Sequence, residues 1–172
     1  MKRAPTGIEI LKAKVRACAA GKPLTPGSFP GVTCDTREKT GAYIYADVPM
    51  VVAKLDAGDL SVIGAETRIA IDRKQLGDFI GCVTWEKDRF GRMLEKLSKY
   101  ELGAIVVEAS FEDVRQRRYR ANVAPSVVIG AAASIVTRYG IPVYFAGNRE
   151  SSADFTLRLL KSFWRHHMAV AA

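Results

Sequence analysis

The sequence predicts an α/β sandwich, in which a mixed central sheet carries helices on both faces. Three observations predict it. Short apolar or alternating runs (Val32–Asp35, Thr67–Asp72, Ala104–Val107, Ile141–Phe145) are interleaved with segments of helical period. Gly58 and Gly64 bracket the run Leu60–Ile63 closely enough for it to pair with Thr67–Asp72 as a hairpin before that alternation begins. The length, 172 residues with 48% apolar and 26% charged side chains, suits one domain with a buried core.

Taken in order, Gly7–Ala20 has helical spacing, with Ile8, Leu11 and Val15 on one face and Gly21 ending it. Lys22–Gly31 is a Pro/Gly linker, so residues 1–30 are read as an appended helix and linker, 31–167 as the domain and 168–172 as a tail. Val32–Asp35 is a strand, Thr36–Asp47 a polar loop and Met50–Leu55 a second strand. After the hairpin, a helix is expected from Lys74 to Val83, carrying Leu76, Phe79 and Ile80. The clearest helix is Trp85–Tyr100, with Phe90, Met93, Leu94, Leu97 and Tyr100 on one face. Its Lys87, Arg89, Arg92, Lys96 and Lys99 form a solvated face or the border of a phosphate path. Gly103 is expected to cap that helix. Ala104–Val107 reads as a strand buried on both sides.

Phe111–Arg120 holds the densest positive patch: Arg115, Arg117, Arg118 and Arg120 beside Tyr119. It is either a solvated helix face or a phosphate contact. Pro125 starts a helix to Tyr139, Ile141–Phe145 is another buried strand, and Ser151 or Ser152 caps a last helix. Phe155, Leu157, Leu159, Leu160, Phe163 and Trp164 occupy more than one stripe of that helix, which predicts a homodimer through it.

A net charge of +8 and a pI of about 9.6 imply an anionic partner, nucleic acid or a membrane surface. Cys18, Cys34 and Cys82 have no C-x-x-C spacing, which suggests a reducing, intracellular (cytoplasmic) setting and no zinc site. Met1–Thr6 lacks a secretory signal, and the longest uncharged run, Ala121–Thr137, is interrupted by Pro125 and Ser126, so no membrane span is expected.

The chemistry concentrates between Gly58 and Asp78. Asp59 follows a turn glycine, and Thr67–Asp72 alternates so that Asp72 lies opposite Ile69 and Ile71, with Lys74 of the same parity. Two carboxylates beside one ammonium are enough to hold a hard divalent cation next to a phosphate. Ordinary turn and strand-end chemistry would use the same residues.

Four elements in order, Asp35-Thr36-Arg37-Glu38, Gly58-Asp59, Asp72-Arg73-Lys74 and Asp78, resemble the XPF-type structure-specific endonucleases of the restriction-endonuclease-like superfamily. The likeness continues through Val106-Val107-Glu108 and Arg138–Val143 and covers roughly residues 31 to 165. Asp72 stands where the family has Glu, one methylene longer.

The resemblance implies a restriction-endonuclease-like α/β/α sandwich and a DNA endonuclease dependent on Mg²⁺ or Mn²⁺. Asp59 and Asp72 would bind the ion with the Arg73 carbonyl, and Asp35 and Glu38 would complete the acidic cluster through water or a second ion. Lys74 would orient or help deprotonate the attacking water, and Asp78 would hold that ammonium. Arg37 and Arg73 would brace carboxylates or meet phosphate. Family members commonly carry a helicase or helix-hairpin-helix module; this sequence shows neither, so a helicase or another DNA-targeting partner is expected. The alternative is a non-catalytic DNA-binding or scaffolding module on the same fold.

Overall fold

The structure, a computed structural model, describes residues 28–38, 43, 45 and 47–167. The expected helix over Gly7–Ala20, most of the linker and the tail lie outside the described residues. The elements run β1 (Val32–Asp35), β2 (Met50–Ala53), β3 (Leu60–Val62), β4 (Ile69–Gln75), α1 (Leu76–Thr84), α2 (Lys87–Leu97), β5 (Leu102–Glu108), α3 (Phe111–Arg115), α4 (Pro125–Tyr139), β6 (Val143–Phe145) and α5 (Arg149–His167). The strands form one sheet in the order β2-β1-β3-β4-β5-β6. It is mixed, as expected. β1 is parallel to β2 and antiparallel to β3, β3 and β4 form the antiparallel hairpin, and β4, β5 and β6 are parallel.

The sheet is buried on both faces, and the two-residue period of its strands sorts side chains between two cores. Ile69, Ile71, Ala104 and Val106 pack with Leu160 and Phe163 of α5. Ala70, Ile105 and Val107 pack on the other face with Phe79 and Ile80 of α1, Phe90, Leu94 and Leu97 of α2, and Val128 and Ile135 of α4. Asp72 shares the parity of Ala70, so the face opposite Ile69 and Ile71 is a second covered face rather than a polar one, and Asp72 is 4% exposed.

Tertiary pairing moves several boundaries. β4 runs on to Gln75, because Arg73, Lys74 and Gln75 stay in register with Val106, Val107 and Glu108 of β5. Lys74 is therefore a strand residue, and α1 begins at Leu76. Gly103 does not cap α2, which ends at Leu97 with Ser98 as its cap. It lies inside β5, where a Cβ would collide with the Leu97 carbonyl oxygen. α5 begins at Arg149, and Asn148, not a serine, accepts from the Ser151 amide at 2.9 Å. Ser152 is buried within that helix. β6 is shorter than expected, half-buried, and forms one edge of the sheet.

The apolar stripes of α5 are covered only in part within the chain. Leu160 and Phe163 are buried, and Phe155, Leu157, Leu159 and Trp164 pack partly buried against the same core. No helix among the described residues is long and apolar enough to cross a membrane.

Gly103 yields a stability test. Gly103→Ala forces the C-terminal end of α2 away from β5 and is expected to cost about 1–3 kcal/mol, the range of an overpacked core. The urea midpoint measures it, and an unchanged midpoint would show that α2 has room to move.

Candidate active site

Asp59 and Asp72 meet at the C-terminal end of β4, on the floor of an open cleft of about 690 Å³ between that strand, α1 and α2. Asp59 is placed there by its backbone. Gly58 has φ +73, and a Cβ on it would press on the Ile71 carbonyl oxygen at 3.0 Å and the Ala70 side chain at 3.2 Å, so only glycine lets the chain run this close to β4. The Asp59 amide donates to the Ile71 carbonyl at 2.8 Å, and the Arg73 amide donates to Asp59 Oδ2 at 2.7 Å. These two bonds hold the Asp59 carboxylate against β4 next to Asp72.

Asp72 and Lys74 share a face, as their parity predicts. Lys74 Nζ lies 2.9 Å from Asp72 Oδ1 and 2.8 Å from Oδ2, and Oδ2, though buried, accepts no well-oriented hydrogen bond. Burial alone would lower the Lys74 pKa, but Asp72 and then Asp59 outweigh it and keep the ammonium charged. Asp59 has no ion pair of its own among the described residues. Burial, then the charge of Asp72, then Glu38 push its carboxyl well above its ordinary value of 3.8, and Lys74 offsets only part of that.

Arg73, between the two, points to the α5 side. It donates to Glu108 at 2.8 Å, lies 3.6 Å from Glu38 and stacks over the Tyr43 ring at 5.6 Å. Of the two roles expected for it, the geometry gives the brace. Arg37 does the same for Asp35. Its amide and Nε donate to Oδ1 at 2.7 and 2.6 Å and its Nη2 to Oδ2 at 3.1 Å, while the Leu55 amide reaches Oδ2 at 2.6 Å. Although burial opposes it, these donors hold the Asp35 carboxyl below its ordinary value.

Asp35 thus ties the end of β1 to the chain beyond β2, and both its oxygens already accept from protein donors. Glu38 reaches the cleft wall with Oε2 buried and lacking a hydrogen bond. Asp78 stands exposed on the first turn of α1 at the cleft, and the Lys74 ion pair runs to Asp72 rather than to it. The expected one-turn link between Lys74 and Asp78 fails because Lys74 belongs to the strand.

The donor set fits a divalent cation of the Mg²⁺ type. A buried oxygen of Asp72 lacks an oriented donor, and the neighbouring carboxyl is raised by burial and by negative charge that Lys74 only partly offsets, which a cation would relieve. No group of three or more acidic, His or Cys side chains converges for a metal among the described residues. The protein's share would then be two carboxylates and a carbonyl, with water or phosphate supplying the rest.

One pairing within the site was not read from the sequence. Glu108 and Arg149 lie behind Arg73, with Arg149 3.3 Å from Glu108 and 5.4 Å over Tyr43; nothing local in the sequence signals that pairing. Arg89, Arg92 and Lys96, read from the sequence as a solvated face or the border of a phosphate path, line the cleft from α2 at a spacing of three and four residues.

The arginine patch does not form a helix face. α3 ends at Arg115, and Arg117 turns the chain with φ 53. Arg115 pairs with Glu112 at 3.3 Å, Arg118 with Asp113 at 3.0 Å and Arg117 with Asn122 Oδ1 at 2.7 Å. Arg120 is exposed.

A mixed six-stranded sheet flanked by helices is the α/β fold of an XPF-type nuclease domain. Residues 34–159 match the ERCC4 domain, and the chain belongs to that family, whose members are typically nucleases. The fold is that of XPF from Aeropyrum pernix, with a TM-score of 0.61 and 23% identity over 76% of this chain and 60% of that one. XPF from Aeropyrum pernix in complex with DNA gives 0.60 and 23%, over 78% and 64%. A protein of Methanocaldococcus jannaschii named as an ATP-dependent RNA helicase, MJ1505, is 27% identical over 132 residues, 74% of this chain but 15% of that protein.

The raised Asp59 carboxyl sets a pH dependence. A carboxyl whose folded value exceeds its unfolded one binds protons better in the native state, so its contribution favours folding at low pH and is lost as the pH rises through the raised value. In metal-free protein, Asp59→Asn is expected to gain stability over wild type as the pH goes from about 5 to about 8. Denaturant unfolding at the two pH values measures it; a gap that does not widen would mean that Asp59 sits easily as a carboxylate.

Proposed function

We propose that the chain is a metal-dependent DNA endonuclease that hydrolyses phosphodiester bonds in branched, flap or single-strand/duplex junction DNA. The observation that carries this reading is the buried Asp59/Asp72 pair beside the Lys74 ammonium, at the base of an open cleft in an ERCC4 domain. Asp59 and Asp72, with the Arg73 carbonyl, would hold Mg²⁺ or Mn²⁺, which supplies a bound water of lowered pKa and neutralises charge on the phosphate.

The chain's own residues do the rest. Lys74, held charged by Asp72, orients the attacking water and stabilises the charge growing on the phosphate oxygens. Being charged, it is a poor proton acceptor. Glu38 and Asp78 face the cleft as acceptors for water at the site. Asp35 keeps Arg37 at the cleft entrance, and Arg73 fixes Glu38 and Glu108 behind the pair. Arg37, Arg89, Arg92 and Lys96 offer phosphate contacts along the cleft, and Arg115, Arg117, Arg118 and Arg120 extend positive charge beyond β5.

The DNA complex of the Aeropyrum pernix XPF supports DNA as the partner. The helicase name of the Methanocaldococcus jannaschii relative supports a helicase working on the same DNA.

Labelled single-stranded, duplex, flap and fork DNA, with and without Mn²⁺, tests the proposal. Asp59→Asn and Asp72→Asn are expected to abolish cleavage while DNA binding persists, and Asp72→Glu to keep or raise the rate. Asn variants that cut like wild type would remove the metal pair from the chemistry. Wild-type binding without cleavage would mark a scaffolding module instead.

A second measurement separates the two basic groups. Replacing Arg117, Arg118 and Arg120 with Ala is expected to flatten the slope of log K against log salt by about 0.9 for each duplex phosphate that the arginines neutralise. An unchanged slope would leave phosphate binding to the α2 side of the cleft.

A further inference from the structure

We propose that Trp85 is a stacking platform for an unpaired nucleobase at the mouth of the cleft. The inference rests on the DNA reading above and adds a binding residue to it. Trp85 caps α1, its amide donating to the Gly81 carbonyl at 3.0 Å, and the next amide, of Glu86, donates to that same carbonyl at 3.1 Å. The other large apolar residues of α1, Leu76, Phe79, Ile80 and Val83, are all buried, whereas the Trp85 residue is 69% exposed. Indoles are usually well buried, and one left this open is an exception that asks for a ligand.

Its position says which ligand. Trp85 is not itself a lining residue, but Gly81 and Cys82 before it, and Glu86 and Arg89 after it, line the cleft, so it is exposed next to the cleft where α1 hands over to α2. From there α2 carries Arg89, Arg92 and Lys96 along the cleft, while the carboxylates lie on its floor. A row of cations tracks a phosphate backbone, and an aromatic face beside it accepts a base from an unstacked strand, the combination found in single-strand binding grooves. Bases inside a duplex are already stacked on each other and present no face to a protruding indole. Trp85 therefore contributes to contacts with unpaired nucleotides and little to contacts with duplex.

The full chain has two tryptophans, and Trp164 packs partly buried against the α5-side core. Trp164→Phe leaves Trp85 as the reporter. Titration with oligo(dT) is expected to quench its emission, and a blunt duplex of equal length to leave it nearly unchanged. Independently of that variant, anisotropy of labelled DNA compares wild type, Trp85→Ala and Trp85→Phe. The Ala variant is expected to lose about 5- to 150-fold in oligo(dT) affinity, the usual effect of removing one stacked base. Duplex affinity should hardly change, and Phe should restore most of the affinity.

Oligo(dT) binding without quenching, or an equal Ala effect on both DNAs, would overturn the platform. Blue-shifted emission shielded from acrylamide in the free protein would overturn it too, because another part of the chain or a second copy would then cover the indole. Metal-dependent cleavage that survives alongside any of these outcomes confines the failure to Trp85. Absence of both cleavage and DNA binding would remove the nuclease reading and the platform together.

Discussion

β4 lies in the middle of the sheet with helices on both sides, so neither parity of its side chains points to open water. Three charged residues in succession at its end must be satisfied in two different compartments. Asp72 and Lys74 go to the α1–α2 side and neutralise each other; Arg73 goes to the α5 side and is met by Glu108 and Glu38. A buried ion left alone costs several kcal/mol, whereas a paired and hydrogen-bonded one is tolerated. That constraint fixes Glu108 at the end of β5 and draws Arg149 of α5 toward the same carboxylate.

Against this neutralised frame, Asp59 stands out. Two backbone hydrogen bonds hold it on β4 beside Asp72, and among the described residues it has no cation paired to it. The raised carboxyl is the electrostatic record of that arrangement. A structural acid would have been given a partner, as Asp35 has been given Arg37 and the Leu55 amide. Misfit of this kind, in a cleft, is where a functional site is expected, and a bound cation would recover the energy lost there.

The basic residues divide by geometry rather than by density. The arginine-rich segment after α3 is the most positive stretch of sequence, yet Arg115, Arg117 and Arg118 have local partners. The cations of α2 are fewer and more spread in the sequence, but helical spacing aligns Arg89, Arg92 and Lys96 along the cleft that holds the acids. Trp85, at the junction of the two helices, stands exposed beside that cleft.

The sequence by itself determined the α/β class, the β3–β4 hairpin, the shared face of Asp72 and Lys74, and the family. Each rests on short-range rules: alternation, helical spacing, turn glycines and a motif read in order. It did not determine where β4 ends, because the residues from Arg73 to Gln75 remain a strand only through their ladder to β5. Gly103 looked like a helix cap, and only the approach of the α2 end to β5 shows why no side chain fits there. The apolar stripes of α5 carry equal weight in the sequence, and only packing on the sheet buries Leu160 and Phe163 while leaving Phe155, Leu157, Leu159 and Trp164 half-buried. Likewise Asp35 and Asp59 are both acids at strand edges in the sequence; only the folded chain gives one a guanidinium and leaves the other against Asp72. Burial and charge pairing depend on neighbours brought together from distant parts of the chain, so tertiary structure alone decides which of two similar residues is a brace and which is placed for chemistry.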